Sequence, residues 1–76
     1  WEAQAAGRPG LTAREHEVLG LLAVGLDVRG IARQMGLSVY TVRDHVRALL
    51  AKLGAHSQLE AIVNAAQLGL VRLDGR

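Results

Sequence analysis

Basic side chains are concentrated in one part of this 76-residue chain. The segment 29–52 carries five basic residues and one acid, a net charge of +4, whereas the other 52 residues carry four basic and six acidic ones, a net charge of −2. The basic residues of the segment are Arg29, Arg33, Arg43, Arg47 and Lys52, and its acid is Asp44. Guanidinium groups attract phosphate and pair with the O6 and N7 atoms of guanine. This distribution of charge predicts a surface that binds nucleic acid. The alternative is that the arginines lie on a helix face exposed to solvent and bind no ligand.

Two of these arginines lie four residues apart in a stretch with helical periodicity. Arg43 and Arg47 would share one exposed face of a helix over 39–53, with Asp44 beside them. A cationic face of this kind fits the major groove, where the fork of an arginine side chain pairs with guanine. Asp44 either accepts a hydrogen bond from the N4 group of cytosine or pairs with an arginine and only orients it. Hydroxyl groups near the start of this helix are placed to contact the sugar–phosphate backbone, namely those of Ser38, Tyr40 and Thr41.

Four helices are predicted from the spacing of apolar residues and from the capping residues that flank them. Thr12 and Ser57 each begin a capping box with a glutamate three residues later, and Asp27 and Ser38 are further N-cap candidates. The predicted fold is all-α, with helices over about 13–24, 28–35, 39–53 and 58–68. The second and third helices form a helix-turn-helix, with Gly36 in the turn between them.

Composition excludes several classes of protein. Half of the residues are apolar but only two are aromatic, so the core must be aliphatic. The chain has no cysteine, which excludes disulfides and thiolate metal sites, and its three scattered histidines do not form a zinc site. No apolar run reaches the roughly 18 residues of a membrane span. Because nucleophile motifs, phosphate loops and metal-ligand spacings are also missing, we expect a protein that is not an enzyme and uses no cofactor or metal. The lack of cysteine fits a reducing cytosol, so we expect a cytoplasmic protein.

The chain is long enough for one small domain. Residues 1–10 show no apolar period and contain the single proline, so we expect them to be the tail of a linker from an upstream domain. The domain itself is expected over 11–73.

The fourth predicted helix is apolar over an arc of roughly 220° of its circumference. Packing against one core needs about half of that arc, so the surplus is expected to face another molecule. Burial by an upstream domain of the same chain is one possibility. The alternative is a separate molecule, and the expected contact surface is formed by Ala61, Val63, Asn64 and Leu68.

Long stretches on both sides of the predicted turn carry a family resemblance. The chain reads LTAREHEVLGLLAVGL and then IARQMGLSVYTVRDHVRALLAKLGAHS. From residue 11 to about residue 70 it resembles the C-terminal helix-turn-helix domain of the LuxR/NarL family of bacterial transcription regulators. The resemblance implies sequence-specific binding of a pseudo-palindromic double-stranded DNA operator, a homodimer through the fourth helix, and RNA polymerase as a further partner. It assigns base contacts to Arg43, Asp44 and Arg47, and contacts with the DNA backbone to Ser38, Tyr40, Thr41 and Lys52.

Three positions depart from the family's sequence pattern. Gly30 stands where the family has glutamate, Gln58 where it usually has arginine, and Asp44 where Asn, Thr or an apolar residue is more usual. His45 stands at the family's histidine position, and we expect it to be a packed side chain bonded to a neighbour.

Two other functions remain open at this point. The promoter-reading helix-turn-helix of sigma factors has a similar sequence pattern. A module of another class would use the apolar fourth helix to bind a protein. Salt dependence distinguishes DNA binding from apolar docking, because phosphate binding weakens steeply as salt is added.

Overall fold

The computed structural model describes residues 10–72 and contains four α-helices in that range. They are α1 (Ala13–Ala23), α2 (Val28–Met35), α3 (Val39–Leu53) and α4 (Gln58–Gln67). The all-α prediction is confirmed, and the predicted bounds of α2 and α3 match. The first and fourth helices end one residue earlier than predicted, because Val24 and Leu68 serve as their C-caps. The predicted linker other than Gly10, and the predicted last residue of the domain at position 73, lie outside the described residues.

Side-chain caps begin every helix. The predicted box at α1 is complete, because the Thr12 hydroxyl accepts from the Glu15 N–H and the Glu15 carboxylate accepts from the Thr12 N–H. The second predicted box forms only in part. Ser57 accepts from the Glu60 N–H, but the Glu60 carboxylate accepts from the backbone N–H of His56 instead of that of Ser57. The glutamate therefore reaches one residue beyond the cap.

The core is aliphatic, as the composition predicts, and α3 lies at its centre. This helix packs against each of the other three helices. The buried apolar side chains come from all four helices, namely Val18, Leu19, Leu22, Ile31, Ala32, Val42, Val46, Leu49, Leu53, Ala61 and Ala65. Because α3 presents buried side chains along its length, its opposite face is held outward in a fixed orientation. None of the helices in the described part of the chain is long and apolar enough to cross a membrane.

The connection between α2 and α3 is short and depends on a glycine. Gly36 ends α2 in the left-handed region, with φ 68° and ψ 34°, a conformation that side chains with a Cβ rarely adopt. Ser38 then caps α3, so only Leu37 separates the two caps. This tight turn fixes the angle between the two helices and completes the predicted helix-turn-helix.

Candidate nucleic-acid interface

The start of α3 presents a group of hydroxyls to solvent. The Ser38 Oγ accepts from the Thr41 N–H at 3.1 Å and donates to the Thr41 Oγ1 at 3.0 Å. Both residues are exposed, and Tyr40 is 77% exposed. The structure thus brings together three of the four residues predicted to contact a DNA backbone, at a helix N-terminus where the helix dipole favours phosphate.

The side of α3 facing away from the core carries the predicted base-contacting residues. Arg43, Asp44 and Arg47 are all exposed. The two arginines have different surroundings. Arg43 faces a groove toward α2, whereas Arg47 lies against Asp44. They therefore do not form the single uniform cationic face that the spacing alone predicts.

An open groove between α2 and the start of α3 gathers three guanidinium groups. Arg29 and Arg33 come from successive turns of α2, and Arg43 comes from α3. The apolar wall and the aromatic ring of this groove come from Ala32, Leu37, Val39 and Tyr40. None of these lining residues is acidic, and within residues 10–72 none of the three arginines has an acidic partner. Sequence reasoning counted Arg29 and Arg33 as charge but did not assign them to the site, although their i,i+4 spacing on α2 was a usable signal.

The arginine and the acid on the exposed face of α3 form an ion pair. The Arg47 Nη1 lies 3.1 Å from the Asp44 Oδ1, and the two side chains are 77% and 74% exposed. This contact agrees with the pairing alternative for Asp44. It uses one carboxylate oxygen, so the second oxygen and most of the guanidinium N–H groups remain available to a ligand.

Lys52 lies in a different environment from the arginines. Its Nζ donates to the Glu15 Oε1 at 2.6 Å and to the Gly10 carbonyl at 3.0 Å. The Glu15 side chain is buried, and the hydrogen bond from Lys52, followed by the one from the Thr12 N–H, lowers the pKa of Glu15 below its ordinary value. The ammonium thus ties the end of α3 to the start of α1, and one of its three N–H groups is left for a phosphate.

On the fourth helix, one of the four predicted interface positions is buried and a second bonds within the chain. Ala61 is 1% exposed and belongs to the core of the chain itself, so it has no surface to offer a second copy. Asn64 donates from its Nδ2 to the Leu53 carbonyl at 3.0 Å and so bonds α4 to the end of α3. The helix is apolar over a wide arc, but the core of the chain itself buries more of that arc than predicted. Val63 remains 40% exposed, and Leu68 is half-buried against the core.

The remaining titratable side chains include His45, which is on α3 beside the exposed face. His45 is half-buried, as expected of a packed side chain, and its imidazole makes no hydrogen bond within residues 10–72. Among the described residues no group of three or more His, Asp or Glu side chains could hold a metal ion.

An all-α helix-turn-helix with exposed arginines on its second helix has the architecture of a DNA-binding domain. The sequence model of the luxR family of bacterial regulatory proteins matches residues 9–65, so the chain belongs to this family. It is therefore a DNA-binding domain of the kind that transcription regulators carry, and not an enzyme. This membership favours the LuxR/NarL resemblance over the sigma-factor alternative.

Individual relatives differ in how much of their length the chain matches. It is 33% identical to the spore germination protein GerE of Bacillus subtilis over 72 residues, covering 95% of this chain and 97% of that protein. A solved structure of the transcription factor GerE superimposes with a TM-score of 0.78 and 36% identity, covering 84% of this chain and 96% of the other.

Two larger proteins match over their helix-turn-helix part. The transcriptional activator DevR/DosR of Mycobacterium tuberculosis is 44% identical over 66 residues, which is 87% of this chain and 30% of that protein. The structure of VqmA of Vibrio cholerae in complex with a ligand and DNA has a TM-score of 0.77 and 44% identity, covering 82% of this chain and 27% of the other. The chain spans 21–30% of the length of the first curated relatives it matches.

Proposed function

We propose that α3 enters the major groove of double-stranded DNA and reads a specific operator there. The observation that carries this proposal is the exposure of Arg43, Asp44 and Arg47 on the second helix of the helix-turn-helix, opposite its buried stripe. In this geometry the N-terminal half of the recognition helix meets the base edges. Arg43 and Asp44 lie in that half and Arg47 lies one turn beyond Arg43, so the three exposed side chains take the base contacts.

The sugar–phosphate backbone is bound by groups that flank these residues. The paired hydroxyls of Ser38 and Thr41 and the phenol of Tyr40 take one stretch of backbone at the helix N-terminus. Lys52 adds a contact near the other end of α3 with its remaining N–H group. The concentration of positive charge on the helix pair supports this assignment, because phosphate binding is driven by release of counterions from the DNA.

Two copies of the domain bind together, with α4 as the contact between them. Leu59 and Val63 lie four residues apart on α4 and are 71% and 40% exposed, so they form an apolar surface on one face. Leu68 is half-buried against the core on another side of the helix, so Leu59 and Val63 carry the proposed contact. A symmetric contact through one helix places two recognition helices on a pseudo-palindrome, with half-sites about one helical turn apart.

The chain acts in this proposal as the DNA-binding part of a larger regulator in the bacterial cytoplasm. The matches to much longer regulators support an upstream domain, either a receiver that is phosphorylated or a domain that binds a small molecule. The name of DevR/DosR, a DNA-binding transcriptional activator, supports RNA polymerase as a further partner.

Binding titrations with arginine variants test the assignment of α3. Arg43→Ala and Arg47→Ala should each weaken binding to a duplex selected from a random library by about 1–3 kcal/mol, if each guanidinium pairs with a base. Binding to a scrambled duplex should fall much less. Arg14→Ala is the matched control, because Arg14 is exposed on α1, outside the helix pair, and carries the same charge.

The salt dependence of the same titrations tests the rival class of function. Affinity for DNA should fall steeply as salt rises, with a slope set by the number of phosphates neutralised. If the chain enriches no duplex and instead binds a protein in a salt-independent manner through α4, the DNA-reading proposal is wrong. Equal and negligible losses for both arginine variants would contradict the placement of α3 in the groove.

A further inference from the structure

Asp44 is an unexpected residue on a surface that binds a polyanion. It is the only acid between Arg29 and Lys52, and its side chain is 74% exposed beside the residues proposed to contact bases. A carboxylate near phosphates weakens every DNA complex through like-charge repulsion. Some favourable contact must offset this effect in the complex that the domain forms with its operator.

Stability of the free protein does not account for Asp44. Its partner is Arg47, three residues later on the same helix, and both side chains are largely exposed. Pairs of this kind add little to folding, because solvent screens them and both side chains lose rotamer freedom. The Asp44–Arg47 ion pair therefore has its main effect in the complex with DNA.

The geometry of the pair leaves both partners able to bind a second group. Only the Asp44 Oδ1 and the Arg47 Nη1 are joined, at 3.1 Å. The guanidinium keeps enough N–H groups for the two acceptors of guanine, and the carboxylate keeps its second oxygen. Three residues along an α-helix correspond to a rise of about 4.5 Å, close to the roughly 3.4 Å between neighbouring base pairs.

We propose that Asp44 and Arg47 form one specificity-determining unit that reads two neighbouring G·C pairs. Arg47 binds the O6 and N7 of a guanine, and Asp44 accepts a hydrogen bond from the N4 amino group of a cytosine in the adjacent pair. This inference rests on the proposed function, because it requires α3 to lie in the major groove. It makes the acid a base-reading residue whose ion pair with Arg47 persists on the DNA.

Cytosine is the base whose edge fits a carboxylate. In the major groove it offers a donor at N4 and no acceptor, whereas adenine offers a donor at N6 beside an acceptor at N7. A carboxylate oxygen facing that N7 would meet another acceptor. An asparagine side chain has both a donor and an acceptor and pairs with adenine through both atoms. Asp44→Asn should therefore change which base is preferred, not only how tightly DNA is bound.

The test is a selection from a randomised duplex library with the 76-residue chain and its Asp44→Asn and Asp44→Ala variants. The wild type should enrich a guanine next to a G·C pair whose cytosine faces Asp44. Asp44→Asn should keep the guanine and replace that cytosine by adenine. Asp44→Ala should keep the guanine and lose the preference at the neighbouring position.

Affinity measurements on single duplexes test whether the contact involves one atom, the cytosine N4. Replacing that cytosine by an analogue without the exocyclic amino group should weaken wild-type binding about 10- to 150-fold, the range of one hydrogen bond to a charged group. The same replacement should leave Asp44→Ala binding unchanged. Asp44→Ala should also bind scrambled duplex more tightly than the wild type, because it removes a negative charge from the surface facing DNA.

Glu17→Gln supplies the matched control. Glu17 is also an exposed acid in an i,i+3 ion pair, at 3.6 Å from Arg14, but it lies on α1 outside the helix pair. Its neutralisation should leave the selected motif unchanged. Thermal melts of all variants confirm that the fold is kept, since the substituted side chains are exposed.

The outcomes separate this inference from the proposed function. If the wild type enriches no sequence, the proposed function fails and this inference fails with it. If the wild type enriches a motif and Asp44→Asn and Asp44→Ala enrich the same one, Asp44 only orients Arg47 and the inference alone is overturned. A uniform loss of affinity at all sequences in both Asp44 variants would overturn it as well.

Discussion

Glu15 combines a local and a long-range contact in one buried carboxylate. One oxygen closes the capping box of α1 by accepting from the Thr12 N–H, and it also accepts from the Lys52 ammonium, 37 residues away. The structure leaves no buried side-chain oxygen or nitrogen without a partner in the described part of the chain. A single residue therefore links the start of the first helix to the end of the recognition helix.

Glu15→Gln should destabilise the domain by about 1 kcal/mol at pH 7, because hydrogen bonds to a charged partner are stronger than neutral ones. The lowered pKa of Glu15 means that its carboxylate stabilises the fold above the ordinary value of 4.5, and that this contribution is lost as pH falls through the lower folded-state pKa. The difference between wild type and variant should therefore shrink below about pH 4. Urea denaturation at pH 7, 5, 4 and 3 measures it.

Glu17→Gln again serves as a control, since its side chain is 52% exposed and its ion pair with Arg14 is long, at 3.6 Å. It should change the free energy of unfolding little at any of these pH values. A Glu15→Gln variant as stable as wild type at pH 7 would show that the Lys52 contact contributes nothing to folding.

At the scale of a single element, α2 carries a glycine in its first turn. Gly30 donates its N–H to the Asp27 cap at 2.8 Å, and a Cβ built there would lie 3.3 Å from the same Asp27 Oδ1. That separation is tight, but Asp27 is exposed and its carboxylate can shift by a few tenths of an ångström. The equivalent position of α1 is Glu15, which carries a full side chain beside its threonine cap.

Gly30→Ala should therefore stabilise the domain by about 0.5–1 kcal/mol through helix propensity, which corresponds to roughly 2–8 °C in melting temperature for a domain of this size. Gly30→Glu should gain less than Gly30→Ala, because its carboxylate would lie close to that of Asp27. Thermal melts measure both variants.

Gly20→Ala calibrates the effect, because Gly20 lies within α1 and a Cβ there meets nothing within 4 Å. A lower melting temperature for Gly30→Ala alongside a higher one for Gly20→Ala would show that Gly30 is needed for space around the Asp27 cap.

At the scale of the whole molecule, the division of α4 between core and surface decides how two copies can meet. Its buried alanines and the Asn64 bond fasten it to the body of the domain, so only a narrow apolar strip is left for a partner. A contact through one helix of 10 residues is small, so the domain is expected to dimerise weakly in solution and firmly only on DNA.

Val63→Glu should prevent two copies from loading together on a palindromic duplex, because it would place a charge in the shared apolar contact. Binding of one copy to a half-site should persist, since Val63 is 40% exposed and its replacement leaves the core intact. Gel shifts that resolve one-copy and two-copy complexes give the readout.

Val24→Glu makes the same substitution at a valine that is 70% exposed and is the C-cap of α1, outside α4. It should leave cooperative loading unchanged. Two-copy loading by Val63→Glu equal to that of the wild type would exclude α4 as the interface.

The sequence by itself determined the helices, the turn and the family. Capping residues, the glycine in the turn and the spacing of apolar side chains act over windows of a few residues, so their effect can be predicted without knowing what lies opposite. This is why the bounds of α2 and α3 and the cap at Thr12 were predictable. The exposure of Arg43 and Arg47 followed from the same periodicity, because the buried stripe of α3 fixes its opposite face.

Only the tertiary structure decided which polar groups meet between helices. The bond between Lys52 and Glu15 and the bond between Asn64 and the Leu53 carbonyl join residues that no local pattern relates. The burial of Ala61 depends likewise on where α4 crosses α3. These contacts arise when helices pack at particular angles, which depend on the shapes of side chains distant in sequence. The exposed positions of α3 could thus be predicted from the sequence, whereas the contacts between distant helices could not.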